Sequence, residues 1–376
     1  MSEHPLSHIG RPNELVTPEQ AVKLDRIRAL LQRRGLNALL LTRAANIAWL
    51  SGGARVYVDV ATDQGIAALL VTPAGRLLLT DNIEAPRLRD EEPLAPFGLV
   101  AHPWYEADDD IAALSAGLLV GADGPGPHRL DVSADLMGLR SPLLAVEVDR
   151  LRSLGSDVGQ AMLQVARTVE RGMSEHQVAG LLAKAIYDVG AVPVVVQVAA
   201  GGRAERFRHA LPTDARLETT LLWGVCARRH GLIVSASRLL CFGPVPNELR
   251  RKLRATVAVE AAALAATRPG VPLAEVFARI QEAWTTAGHP EAWRQHHQGG
   301  PCSYSTRDAF AAPDSTERVQ APQAFAWNPS LPGAKSEDTA LITDSRIDFL
   351  TRSPNWPMIK IIMNGEDIIG NDVYER

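Results

Sequence analysis

The chain has 376 residues, 46% of them hydrophobic, and its 39 basic and 43 acidic side chains leave a net charge of −4. That length suits two ordinary domains, and the near-balanced charge excludes the strong positive field of a nucleic-acid binder. The absence of an apolar run of about 18 residues argues against a membrane span. The start MSEHPLSHIG lacks a signal peptide's regions, and the sparse cysteines Cys226, Cys241 and Cys302 fit a reducing compartment, so a cytoplasmic protein is expected.

Thr17, with Pro18 next and Gln20 at the third helical position, predicts a capped helix that carries Leu24, Ile27 and Leu31 inward and stops at Gly35. LNALLLT follows as a buried strand. Ile66 to Val71 and Leu77 to Thr80 flank Pro73-Ala74-Gly75 and read as a hairpin, and a helix is expected around Asp109 to Leu118. This half has neither a phosphate-cradling glycine motif nor a cluster of metal-ligand residues.

The second half repeats itself. A helix near Asp157, a break at Arg171-Gly172, a helix capped by Ser174 with Gln177 and a stop at Gly190 are matched by a helix near Asn247, a break at Pro269-Gly270 and a stop at Gly288. In both copies the two glycines stand 18 residues apart, and strand-like runs follow: VPVVVQVAA and TTLLWGVCA, then QAFAWNP and TALIT. A duplicated unit of a helix pair plus strands is the simplest reading.

Four segments resemble the creatinase/prolidase superfamily of pita-bread, aminopeptidase P-like proteins. FRHALPTD resembles the segment with a substrate-facing histidine, here His209. LLWGVCARRHGLIVSASRLLCFG resembles the aspartate-bearing strand pair, HHQGGPCSY the glycine-rich segment with a metal-binding histidine, and AFAWNPSLPGAKSEDTALIT the glutamate-bearing strands. Leu36 to Thr80 resembles the amino-terminal domain more loosely. The resemblance implies an α/β (α+β) chain: a mixed α/β creatinase-like domain over 1–152, and a pita-bread domain with a pseudo-two-fold internal repeat over 153–376.

A dinuclear site in that superfamily needs five oxygen or nitrogen ligands. Carried over by motif, the two aspartates fall on Gly224 and Ser235, the histidine on Gly300, the first glutamate on Asn328, and only the last survives, as Glu337. No metal and no cofactor are therefore expected. His230, His296 and His297 lie outside the positions whose side chains would converge.

The resemblance to creatinase makes His209 a candidate acid/base. Glu337 is the second catalytic candidate, expected either to hold a cationic or N–H-bearing substrate group or orient a water, or else to form a strand-edge salt bridge with Lys335 or an arginine. Arg307 is read as a fork for a substrate carboxylate or as a partner of Asp308, and Asn328 as a hydrogen-bonding contact. Tyr304 and Trp327 are pocket wall or core, and Arg208 and Arg238 are substrate contacts or structural partners. Cys302 is either a nucleophile or an inert buried thiol. The expected function is a metal-independent, creatinase-like hydrolase or lyase cleaving a C–N bond of a small carboxylate-bearing molecule, as a homodimer. A non-catalytic binding module is the alternative, and an Xaa-Pro-type metallopeptidase is disfavoured by the lost ligands.

Overall fold

Thr17 opens the first helix, α1 (Pro18–Arg34), as its sequence predicts: its hydroxyl accepts from the Gln20 backbone N–H while the Gln20 side chain accepts from the Thr17 N–H. Gly35, in the left-handed conformation, closes the helix. The computed structural model describes residues 15–106, 110–363 and 366–376, so the expectations placed on MSEHPLSHIG and on Asp109 lie outside the described residues.

The chain forms two units, Met1–Ser141 and Pro142–Arg376. The first runs β1 (Ala38–Arg43), α2 (Ala44–Ser51), β2 (Gln64–Val71), β3 (Arg76–Asp81), α3 (Ala85–Glu91), β4 (Gly98–His102), α4 (Asp110–Leu114), β5 (Val120–Ala122), β6 (Arg129–Asp131) and α5 (Ser133–Arg140). Its strands make one mixed sheet in the order β4-β3-β2-β1-β5-β6, with β2 and β3 as the predicted hairpin. Leu40, Leu70, Leu77 and Leu79 pack together on one face of it.

The second unit starts with α6 (Ala145–Thr168) and α7 (Glu175–Asp188). The division between Ser141 and Pro142 precedes α6, so position 152/153 lies within a continuous helix. Leu151, Leu154, Val158, Met162 and Val165 form its unbroken buried stripe, which leaves no physical break there. Gly155 and Gly159 bring α6 against Leu350 and Thr351, where a Cβ would meet a backbone oxygen at 2.6 Å in each case. Next come β7 (Val192–Ala200), the short α8 (Gly202–Arg206), β8 (Thr220–Arg229) and β9 (Leu232–Cys241).

A second helix pair, α9 (Asn247–Ala266) and α10 (Leu273–Thr286), leads to β10 (Gly299–Pro301), β11 (Gln323–Trp327), β12 (Ser330–Leu331), β13 (Ala334–Lys335), β14 (Asp338–Ile342) and β15 (Ile347–Phe349). The unit ends in the hairpin β16 (Met358–Met363) and β17 (Glu366–Asn371) and the short β18 (Tyr374–Glu375). The two larger sheets run β18-β9-β8-β7 and β10-β11-β14-β15.

The repeat extends to matching turns. Gly172 N–H donates to Leu217 O at 2.8 Å and Arg216 returns a guanidinium N–H to Gly172 O at 2.9 Å. In the second copy Gly270 donates to Val319 O at 2.8 Å and Arg318 returns to Gly270 O at 2.8 Å. The two sheets meet where Ser235 N–H donates to the Thr339 hydroxyl (2.7 Å), that hydroxyl donates to Ser235 O (2.9 Å), and Ser237 N–H donates to Glu337 O (3.1 Å). Beneath this seam Arg238, 2% exposed, donates to Asp338 at 2.8 Å and to the Ser237, Glu337 and Thr351 carbonyls, which makes it a structural partner. This is the pita-bread arrangement of helix pairs around two facing half-sheets, in a chain of α/β class.

Candidate functional site

Glu337 lies at the seam, just before β14, and its carboxylate is enclosed by cations. Arg307 donates to one oxygen at 2.7 Å, the Lys335 ammonium lies 3.0 Å from the other, and the Ser237 hydroxyl donates to that second oxygen. Burial alone would raise the Glu337 carboxyl, but Lys335 and Arg307 outweigh it and hold the group well below the ordinary carboxylate range. Of the two roles open to Glu337, the geometry shows the salt bridge, with both Lys335 and an arginine. Arg307 is equally engaged: it reaches Glu337 and the Ser235 hydroxyl rather than Asp308, although its Nε is buried without a hydrogen-bond partner.

Arg307, Lys335 and Glu337 line a cavity of about 190 Å³ together with Gln197, His209, Gly224, His297, Phe310 and Asn328. Among the described residues that line it, the charged groups are Arg307, Lys335 and Glu337, so the wall carries one excess positive charge. The Asn328 side-chain oxygen is buried and has no partner.

The residues expected by motif at the superfamily's metal-ligand positions do not fit a pair of divalent ions. Gly224 and Ser235 offer no carboxylate, and the Ser235 hydroxyl already accepts from Arg307 at 3.2 Å. At Gly300 a Cβ would lie 2.3 Å from the Ala309 carbonyl oxygen, so the backbone leaves no room for any side chain. Glu337 is saturated by two cations and a hydroxyl.

Three histidines gather at the cavity's edge. His209 follows α8, while His296 and His297 follow a 3₁₀ turn at Ala292–Gln295. The His209 and His296 Nε2 atoms are 3.0 Å apart, and the rings of His296 and His297 stack at 4.3 Å with 26° between their planes. Burial, then the positive charge of Lys335, lowers His209 and brings His296 to about 2; burial, then Arg307, brings His297 to about 4. All three are neutral imidazoles at neutral pH. This corrects the expectation that His296 and His297 stand apart from any converging set. The only signal in the sequence is a His-His pair separated from the Gly-Gly pair by Gln298, and nothing local ties it to His209.

The other candidates fall elsewhere. Tyr304, expected at the pocket, is 3% exposed and its hydroxyl donates to Glu147. Arg208 turns to Gln295 at 3.1 Å, away from the cavity wall. Trp327 belongs to the core, with its indole N–H donating to the Thr267 hydroxyl. Burial pushes the Cys302 thiol up to about 12, so it is the inert thiol and not a nucleophile.

Comparison with known proteins agrees with the fold and changes the functional expectation. Residues 149–344 match Metallopeptidase family M24, and residues 23–123 match the Creatinase/Prolidase N-terminal domain. The probable dipeptidase PepE of Mycobacterium tuberculosis is 24% identical over 342 residues, covering 82% of this chain and 88% of that protein. Among solved structures, dipeptidase PepE from Mycobacterium ulcerans superposes with a TM-score of 0.76 at 19% identity, covering 95% of this chain and 98% of that one. The Xaa-Pro dipeptidase from Bacillus anthracis gives 0.75 at 17%, covering 89% and 98%.

The expectation of a metal-independent, creatinase-like C–N hydrolase is thereby overturned, since the matched family is one of metallopeptidases and the named relatives are dipeptidases. Missing carboxylates at the expected ligand positions leave the peptidase fold itself in place, so they do not by themselves point toward creatinase. By the match across its second unit, with the creatinase/prolidase domain ahead of it in sequence, this chain belongs to metallopeptidase family M24.

Proposed function

We propose that this chain is a dipeptidase-class protein whose pocket takes a short peptide with a free carboxylate. The observation that carries the reading is the excess positive charge of Lys335 and Arg307 over Glu337 in a small, largely buried cavity. A buried cation without full compensation is costly, and an incoming carboxylate supplies the missing charge through charge-assisted hydrogen bonds. The unpartnered Asn328 oxygen offers an acceptor for a peptide or amino N–H of the same ligand. His209 and Gln197 complete the polar wall. The dipeptidase and Xaa-Pro dipeptidase names of the relatives support the ligand class. Cytoplasmic residence and a homodimer belong to this reading, and the three cysteines are free, in keeping with a reducing compartment.

The test is a panel of dipeptides, Xaa-Pro sequences included, followed by melting temperature and by release of free amino acids. Dipeptides with a free carboxylate should raise the melting temperature, while their C-terminal amides should not. Lys335→Met should weaken binding at least about tenfold, as expected when a charge-assisted contact is lost. Equal shifts from acid and amide would overturn the reading. A second reading, peptide capture without cleavage, is favoured by the loss of carboxylates at Gly224, Ser235 and Asn328. Binding with no amino-acid release would select it.

A further inference from the structure

We propose that His209, His296 and His297 form a binding site for one divalent metal ion of the zinc class. None of these residues occupies any of the five positions where the superfamily's ligands fall. Each offers one ring nitrogen, and the three nitrogens lie within 4.8 Å of one another. Two imidazole nitrogens bound tetrahedrally at about 2.0–2.1 Å from zinc sit about 3.3 Å apart. The His209–His296 separation of 3.0 Å is already close to that value.

The backbone is arranged to produce this gathering. In a regular strand, side chains of consecutive residues point to opposite faces. His296 is extended (φ −163°, ψ 144°), yet its ring and that of His297 lie nearly parallel on the same side. His296 is 9% exposed, and the Nδ1 atoms of both His296 and His297 are buried with no hydrogen-bond partner. A buried polar nitrogen left unsatisfied costs about 1–3 kcal/mol, and since His296 already turns its Nε2 toward His209, it is the His297 nitrogen that points to a missing partner at this site.

The ligand set also indicates the kind of ion. It contains nitrogen only, because the nearby carboxylate, Glu337, is taken up by Arg307, Lys335 and Ser237. Imidazole sets suit zinc, nickel and copper and do not suit magnesium or calcium, which need oxygen. Three protein ligands leave a fourth position open. With His209 exposed and His297 on the cavity wall, that position has access to the pocket. Lys335 and Arg307 repel a cation at this distance, so a carboxylate ligand should tighten metal binding and the metal should tighten ligand binding by the same factor. This coupling alone rests on the peptide reading; the metal site does not.

The experiment uses the untagged full chain, stripped with chelator and titrated with Zn²⁺ and separately with Mg²⁺. Bound metal is read by elemental analysis after equilibrium dialysis, and Co²⁺ is substituted for its visible spectrum. One equivalent of Zn²⁺ and no Mg²⁺ is expected. His209→Asn and His297→Asn should each weaken Zn²⁺ at least about tenfold, the loss that even an outer partner of a metal ligand produces. His209 is exposed, so its variant tests the site without disturbing the core. Lys335→Met removes a repelling charge and should tighten Zn²⁺, a direction that general damage to the fold cannot give. No stoichiometric Zn²⁺, or an equivalent that both histidine variants leave unchanged, overturns the site. Zn²⁺ binding with no effect of any dipeptide on it, and no dipeptide binding in its absence, leaves the site standing and removes the peptide reading instead.

Discussion

Replacing Glu337 by Gln keeps the shape of the side chain and removes the one anion between two nearly sealed cations. The side chains of Arg307 and Lys335 are 5% and 8% exposed, and both contact that carboxylate in the native chain. Breaking a buried ion pair by neutralising one partner costs about 3–5 kcal/mol, chiefly because the other partner stays desolvated and unpaired. Here two cations are left, so the upper part of that range applies. At roughly 2–4 °C per kcal/mol for a unit of this size, about 4–5 kcal/mol should lower the melting temperature by roughly 8–20 °C. Thermal unfolding followed by circular dichroism measures the change, and Arg279→Ala serves as a reference. Arg279 pairs with Glu282 on the surface, both more than half exposed and screened by water, so its removal should leave the melting temperature almost unchanged. Combining Glu337→Gln with Lys335→Met should recover part of the loss, since one stranded charge disappears with its partner. If Glu337→Gln melts no earlier than the Arg279 variant, the charge assignment of the pocket is wrong.

Glu260 predicts a pH dependence. Burial first, and then the neighbouring Asp338 carboxylate, raises the Glu260 carboxyl to about 7. A group raised in the folded state stabilises the fold fully below its unfolded value near 4.5 and loses that contribution as pH rises through about 7. Wild type should therefore lose about 1–3 kcal/mol between pH 5 and 8 from this group. Glu260→Gln, which can still bond Ser336 and the Asp338 N–H, should flatten the curve of melting temperature against pH. An unchanged slope would refute it. Gly300→Ala should cost about 2–4 kcal/mol in urea denaturation because the clash is with backbone and not with a movable side chain. A loss under about 0.5 kcal/mol would show that the loop yields and that a histidine could be restored there.

Local elements were legible because local chemistry decides them. The capping boxes at Thr17 and Ser174, the Gly35 stop and the strand Val192–Ala200 all appear where the sequence places them. The strand pair is readable too, since it turns at His230-Gly231, inside the segment that reads as two strands. What sequence cannot supply is convergence. His209 and His296 are 87 residues apart, and no periodicity connects them. Tyr304 sits in a motif-like segment, yet its orientation is decided by Glu147, on a helix far earlier in the chain. The salt bridge between Arg307 and Glu337 was among the stated possibilities, but whether a charged group faces a ligand or a neighbour depends on packing that composition does not encode. The function erred at the same level, because missing ligands indicate which chemistry has gone without indicating what replaced it.

The seam at Ser235, Ser237, Glu337 and Thr339 also bears on how this unit opens. Each of its bonds ties residues about 100 positions apart, one from either copy of the repeat, and all are buried. Neither copy can open alone without stranding the other's polar groups, so the duplication does not give two independently cooperative subunits. In native-state hydrogen exchange the amides of Ser235 and Ser237 should exchange only with global opening, as a single foldon spanning both copies. A unit that reads in sequence as two similar halves would thus behave, on the exchange timescale, as one.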